Sequence, residues 1–258
     1  MKADAFILGS KSPDRKVLME SAGFVPFAVI AGDYEEKDED EASNPLRLAE
    51  INAGKKAENV LDKVRREAKK GTLAGMLGLD PEAPKACVVL ITADTIVALK
   101  SEIYGKAENL FGAYATLTKL QGQTHKLITA FCIKVLEVGE LVNEISTRSG
   151  ISVTKVKFLP LSDRKIKDYL ETDEWKGRAG CYAIQGKASQ FIRSIDGSPS
   201  GVIGLPIADI VQVLESMDVQ LGTAVDEEEA AVVEEESEEE DEDLDEEDID
   251  ASLDEDEE

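Results

Sequence analysis

One long apolar run dominates the hydropathy pattern. Residues 87–99 read Cys-Val-Val-Leu-Ile-Thr-Ala-Asp-Thr-Ile-Val-Ala-Leu, and their one charged member is Asp94. A run of this kind predicts a strand, or two short ones, buried on both faces. A carboxylate inside it either sits in solvent at a break in the strand or has a chemical task.

Shorter apolar and polar alternations fill in the rest. A strand is predicted over residues 4–8, then a Gly9-Ser10-Lys11 turn and a helix opening at Ser12-Pro13-Asp14-Arg15. Ser12 suits the cap, Pro13 the first helical position and Asp14 the positive end of the helix dipole. The helix stops near Gly23, and a second strand follows at 25–31. Residues 33–43 form an acidic loop, and Pro45 opens a long helix that runs to Lys70. Residues 71–84 read as a surface insertion. Helices are predicted at 111–120, 162–170 (capped by Ser162) and 207–217. Strands are predicted at 126–138, within 141–157, and as short pieces at 182–184, 191–195 and 202–203. Interleaved helices and strands make the class α/β with a mixed sheet.

Charge divides the chain. The formal net charge is −25, but residues 226–258 hold 23 of the 54 acids and neither Lys nor Arg, leaving 31 acids against 29 bases in residues 1–225. A near-neutral body over residues 1–222 is long enough to bury a core. The acidic segment 223–258 is too charged and too poor in apolar residues to offset its chain entropy, and a disordered tail is expected. Scattered apolar residues in that tail leave open a docking role toward a basic partner. Lys63, Arg65, Arg66, Lys69 and Lys70 make a basic stretch, but acids interrupt it and no aromatics interleave, so a nucleic-acid face is not expected. The N-terminus lacks a signal-peptide pattern and no run is long enough to span a membrane. A cytoplasmic or nuclear location is expected. The three cysteines are far apart and in apolar or small-residue surroundings, which suits reduced, buried thiols.

The single histidine, His125, precludes a two-histidine metal site and reads as a structural hydrogen-bonder. Chemistry must then rest on carboxylates, Lys and Arg. The strand, Gly-Ser-Lys-Ser turn and helix N-terminus form a plausible anion cradle, with Ser10, Lys11, Ser12 and Arg15 as added donors. Lys106 follows a hairpin-like excursion from the Asp94 strand, which can return its ammonium near that carboxylate. Gln185 ends the stretch Cys181-Tyr182-Ala183-Ile184, and its amide offers both donor and acceptor to a nucleobase edge. Each element alone is as well explained by an ordinary turn.

In order, however, Gly9-Ser10-Lys11-Ser12-Pro13-Asp14-Arg15-Lys16, Asp33-Tyr34-Glu35-Glu36-Lys37, Thr92-Ala93-Asp94-Thr95-Ile96-Val97, Glu102-Ile103-Tyr104-Gly105-Lys106, Gly122-Gln123-Thr124-His125, Ala179-Gly180-Cys181-Tyr182-Ala183-Ile184-Gln185-Gly186 and Val202-Ile203-Gly204-Leu205-Pro206 resemble the Maf family of nucleoside triphosphate pyrophosphatases. The likeness covers residues 5–217. It implies a bent mixed sheet with flanking helices in two lobes, like the inosine triphosphatase fold, and often a homodimer. It implies hydrolysis of a nucleoside triphosphate to monophosphate and pyrophosphate with Mg²⁺ or Mn²⁺. By position it assigns Asp94 as proton acceptor, Ser10, Ser12, Arg15 and Lys106 to phosphate, and Glu36 or Glu35 to the metal. Asp14, Thr95 and Gln185 fall on specificity positions, and the last two look like the branch acting on dTTP and UTP.

The chain departs from the pattern in its pocket. Asp14 stands where the family has arginine, an exchange that repels a nearby phosphate by about 1 kcal/mol or more. The family's Lys-Ala in the next helix reads Asn52-Ala53, with Lys55 and Lys56 nearby but at another helical phase. Its Asp-Lys before Ala-Gly reads Gly177-Arg178. These losses keep two alternatives in view: a non-catalytic nucleotide-binding or scaffold protein, and a purine or methylated-guanine nucleotide pyrophosphatase.

Overall fold

In the computed structural model, Asp94 sits where the main sheet has a gap along one edge of its central strand. The structure describes residues 1–35, 44–80 and 83–221. Glu36 and the acidic segment 223–258, including the expected boundary beside it, lie outside the described residues. The elements run β1 (Ala5–Leu8), α1 (Pro13–Ser21), β2 (Phe27–Val29), α2 (Pro45–Lys69), α3 (Leu73–Leu77), β3 (Ala86–Leu99), β4 (Glu102–Tyr104), α4 (Leu110–Leu120), β5 (Thr124–Val138), β6 (Val142–Phe158), α5 (Asp163–Leu170), β7 (Ile192–Asp196), α6 (Pro199–Ile203) and α7 (Ile207–Ser216).

The strands form one seven-stranded mixed sheet in the order β2-β1-β3-β5-β6-β7, with β4 added to β3. β5 pairs antiparallel with β3 from Ala86↔Val138 to Ala98↔Lys126. The other edge of β3 has two partners in succession. Parallel β1 covers it as far as Leu8↔Ile91, and antiparallel β4 resumes at Val97↔Tyr104. Between these two strands the edge of β3 is open among the described residues, and the opening falls at Asp94 and Thr95.

Side chains alternate between sheet faces along a strand, and β3 sorts its apolar residues accordingly. Val89, Ile91 and Ala93 pack with Phe6, Met19, Phe24 and Leu214. Val88 and Leu90 pack on the opposite face with Val60, Val64 and the α3 residues Leu73 and Leu77. Beyond Asp94 the same alternation serves two further clusters, Val97 with Leu117, Phe158 and Tyr182, and Ile96 and Ala98 with Leu48 and Ala53 of α2. The core is thus split along the strand into two ends, and Asp94 lies at the junction, on the α2 face.

Three local expectations change. Residues 71–84 are not a plain surface insertion: the leucines at either end of α3 are both buried and cap the edge of the core. Residues 182–184 are not a strand but part of a run of turns, entered through Cys181 at φ 62°. Val202 and Ile203 end a helix instead of forming a strand. Ser198 caps that helix by accepting from the Gly201 amide, and Pro199 occupies its first turn. Among the described residues, no helix is long and apolar enough to cross a membrane.

Candidate active site

Gly9 brings β1 to the opening in β3. Its amide donates to the Ile91 carbonyl at 2.8 Å, and a Cβ there would sit 2.5 Å from Cγ2 of Thr92, so only glycine lets the two chains approach this closely. The turn then feeds α1. Ser12 caps it by accepting from the Arg15 amide at 3.4 Å, while its own amide donates to Oγ of Ser10 at 3.2 Å. Ser10 and Ser12 therefore shape the turn first. The Ser10 hydroxyl accepts from the Ser12 amide and from Arg15, so its O–H proton can be given to a ligand.

Arg15 ties three elements together. Its Nε donates to the Gly204 carbonyl at 2.7 Å, Nη1 to Ser10 Oγ at 3.1 Å and Nη2 to Thr95 Oγ1 at 3.2 Å. Gly204 has φ 125°, and a Cβ on it would come within 3.2 Å of Nε, so this approach also requires glycine. Thr95 Oγ1 lies 2.9 Å from Thr129 Oγ1, and Thr129 donates to the Gly201 carbonyl at 2.8 Å. A threonine hydroxyl has one proton. Thr129 uses its proton on Gly201, so Thr95 must donate to Thr129 and accept from Arg15. The chain Arg15→Thr95→Thr129→Gly201 has a single direction, and Thr95 keeps no proton for a ligand.

On the opposite face of β3, Asp94 is 4% exposed. Its Oδ1 accepts from Lys56 Nζ at 2.5 Å and its Oδ2 from Asn52 Nδ2 at 3.2 Å. Asn52 in turn accepts from the Tyr34 hydroxyl at 3.1 Å. Asn52 and Lys56 are four residues apart on α2, which places them on one helix face. This corrects the expectation that Lys56 lies at another phase. Lys56-Ala57 is itself a Lys-Ala pair, one helical turn beyond Asn52-Ala53. The cation missing at position 52 is supplied from that turn. A carboxylate oxygen has more than one acceptor site, so Asp94 can take both donors and still accept from a water.

Lys106 comes back to the cavity after β4. It forms an isolated antiparallel bridge with Ala179, and the Gly180 amide donates to the Tyr104 and Gly105 carbonyls at 3.1 and 3.2 Å. This pins the 176–186 turns against the end of β4 and places Arg178 opposite α1. Asp14 does not point away from the pocket. Arg178 Nη2 lies 2.9 Å from its Oδ2 and 3.1 Å from its Oδ1.

One cavity of about 700 Å³ collects these groups: Ser10, Ser12, Asp14, Arg15, Glu35, Asp94, Thr95, Lys106 and Gln185 all line it, and Lys56, Lys176 and Arg178 join them. That size suits a small organic ligand. Every described residue assigned by sequence to the site is therefore at this one opening. Among the described residues, no cluster of three or more His, Cys, Asp or Glu could hold a metal. Asp94 and Glu35 nevertheless both line the same cavity. A small hard cation commonly takes one or two carboxylates and completes its shell with substrate phosphates and water, and the donor set fits that mode.

His125 is buried behind the cavity wall. Its Nε2 lies 2.8 Å from the Tyr182 hydroxyl, Phe158 packs edge-on against it, and desolvation lowers its pKa to about 4. Burial raises the Tyr182 phenol well above its usual range. Both are neutral at ordinary pH, and Tyr182 serves as a rigid part of the cavity lining.

Comparison with known proteins agrees with the motif order. The chain is 35% identical over 212 residues to the dTTP/UTP pyrophosphatase of Ruminiclostridium cellulolyticum, covering 82% of this chain and 95% of that protein. It is 34% identical over 222 residues to the dTTP/UTP pyrophosphatase of Treponema denticola, covering 83% and 98%. It is also 34% identical over 209 residues to that of Pyrococcus abyssi, covering 81% and 94%. With residues 5–217 matching as a Maf-like protein, the chain belongs to that family.

Proposed function

We propose that this protein hydrolyses a nucleoside triphosphate, with dTTP and UTP as the leading substrates, to the monophosphate and pyrophosphate, and that Asp94 is the general base. The observation that carries the reading is a nearly buried carboxylate that opens onto a cavity lined by Ser10, Arg15, Lys56 and Lys106. A polyanion needs such cations, and water attacking phosphorus needs a base within hydrogen-bond reach. Lys56 and Asn52 fix the carboxylate from the α2 side and leave acceptor capacity for the attacking water. Lys106 and the Ser10 hydroxyl would meet phosphate oxygens, and Arg15 would act from its place between β3 and α6. A divalent cation, Mg²⁺ or Mn²⁺, would be held by Glu35 and the substrate phosphates; when bound it offsets charge on the phosphates. The dTTP and UTP preference rests on the named relatives and on Gln185 at the cavity.

The scaffold alternative draws its support from cations missing at positions 14 and 52. Lys56 removes much of that support, because it restores positive charge beside Asp94.

The test is pyrophosphate release from a panel of nucleoside triphosphates with Mg²⁺ or Mn²⁺, wild type against Asp94→Asn. The expected outcome is turnover of dTTP and UTP by the wild type and a loss of roughly 10²–10⁴-fold in the variant. Turnover of nothing, or full activity in Asp94→Asn, would overturn the reading.

A further inference from the structure

The Asp14–Arg178 pair is the least expected feature of the cavity. Asp14 lies in the first turn of α1, and Arg178 reaches it from the 176–186 turns across the opening, with contacts of 2.9 and 3.1 Å. The two side chains are 26% and 32% exposed, so both are wetted by the cavity without being free in solvent. The second amino group of Arg178 is weakly held by the Glu174 carbonyl at 3.4 Å. Its remaining N–H groups meet no acceptor among the described residues.

A phosphate gains little from the Asp14–Arg178 pair. The pair is neutral as a unit, and any phosphate drawn to Arg178 also meets the Asp14 carboxylate. The triphosphate has its donors in Ser10, Arg15, Lys56 and Lys106 of the same cavity, and this neutral pair adds little to them. What remains for the Asp14–Arg178 wall is the uncharged part of a nucleotide. Arg178 comes from the same run of turns as Gln185. A guanidinium has donors only, so it selects an acceptor. On a pyrimidine base the acceptor that separates one from another is the 4-keto oxygen, present in uracil and thymine and replaced by an amino group in cytosine.

We propose that Arg178 is a specificity-determining residue that donates to the 4-keto oxygen of a pyrimidine base, and that Asp14 is the positioning residue that holds its guanidinium across the cavity. This rests on the nucleotide-hydrolysing reading above and names a residue behind its preference for uracil and thymine over cytosine. It also gives Asp14 a purpose. The charge at that position is reversed relative to the family pattern, and the cation it meets, Arg178, stands where that pattern has lysine.

The experiment measures kcat and KM for UTP and CTP in wild type, Arg178→Met, Arg178→Lys and Asp14→Asn. A hydrogen bond from a charged donor is worth roughly tenfold to a hundredfold. The wild type is expected to favour UTP over CTP. Arg178→Met should lower the UTP-to-CTP ratio of kcat/KM by roughly tenfold or more, chiefly through the KM for UTP. Asp14→Asn should lower it less, and Arg178→Lys, which keeps a donor, should retain part of it. If the wild type is active but Arg178→Met weakens UTP and CTP equally, Arg178 acts on the phosphates or the fold and the proposal is wrong. The proposal fails equally if Arg178→Met leaves both unchanged, or if Arg178→Lys loses discrimination as fully as Arg178→Met. A wild type that releases pyrophosphate from no nucleotide would overturn the parent reading and this one with it.

Discussion

Two aspartates face the same cavity, and each meets a cation at close to hydrogen-bond distance. Asp94 pairs with Lys56 at 2.5 Å, with side chains 6% and 15% exposed. Asp14 pairs with Arg178 at 2.9 Å, with side chains 26% and 32% exposed. The chemistry is nearly the same and the setting is not. Asp94 sits inside a strand whose neighbours are all apolar or Thr, and it lines the cavity from there. Its two oxygens accept from Lys56 and Asn52. Asp14 is at a helix N-terminus, where the dipole favours a carboxylate even without a partner. The inner pair is therefore the more costly one to break, and the outer pair is the one that the proposal above assigns to choosing the base.

Breaking the inner pair should have the larger effect. Removing one partner of a buried ion pair leaves the other uncompensated and typically costs about 3–5 kcal/mol. Lys56→Met should approach the lower end of that range, about 3 kcal/mol, because Asn52 still donates to Asp94 and cavity water is near. Urea unfolding of Lys56→Met, Asp94→Asn and the double variant would measure it. The double variant should recover most of the stability lost in Lys56→Met, since no buried charge is then left alone. If Lys56→Met unfolds at the wild-type urea concentration, the inner pair is no more buried in effect than the outer one, and the contrast fails.

His125 offers the third way to bury a polar group: it has no counter-ion and stays neutral. Its pKa is lowered to about 4 by desolvation, below the ordinary value of about 6.5. The unfolded chain therefore takes up a proton at this site between roughly pH 6.5 and pH 4 while the folded one does not. The contribution is fully present above the unfolded pKa, falls as pH drops through that window, and levels off below the folded pKa. Its span is about 3 kcal/mol. Carboxylates titrate in the same range, so the measurement is the stability difference between wild type and His125→Gln at several pH values. That difference should shift against the wild type by about 3 kcal/mol from pH 7 to pH 4. A flat difference would mean that the imidazole takes up its proton in the folded protein as readily as in the unfolded chain.

Local physics makes most of the fold readable. The apolar run at 87–99 is a single strand, and the Ser-Pro start of α1 and the Ser162 cap of α5 are where the pattern puts them. The same Ser-Pro signal recurs at Ser198-Pro199 and marks α6; the β-branched pair Val202-Ile203 argues for a strand by propensity, and the cap outweighs it. Leu73 and Leu77 are spaced for one face of a helix, a pattern that the glycines of that segment obscure. Lys56 is within reach of the sequence, because it follows Asn52 by four residues in an unbroken helix. The Asp14–Arg178 pair is not, because its partners are 164 residues apart. Nothing in either local stretch encodes that distance; it follows from how β4 and the Lys106–Ala179 bridge hold the 176–186 turns.

That non-local pair supplies the smallest expected effect on stability and so the finest check on the comparison. Exposed or part-exposed ion pairs contribute about 0–1 kcal/mol and weaken with salt. A double-mutant cycle on Asp14→Asn and Arg178→Met, read by urea unfolding, should give a coupling below about 1 kcal/mol that shrinks further between low salt and ~1 M salt. The inner-pair coupling, measured the same way, should respond less to salt, because a pair this nearly buried is screened less. If the outer coupling instead equals the inner one and resists salt, Asp14 and Arg178 form a structural clamp across the cavity. Their effect on substrate preference would then follow from a change in the cavity's shape and not from a donor offered to the base.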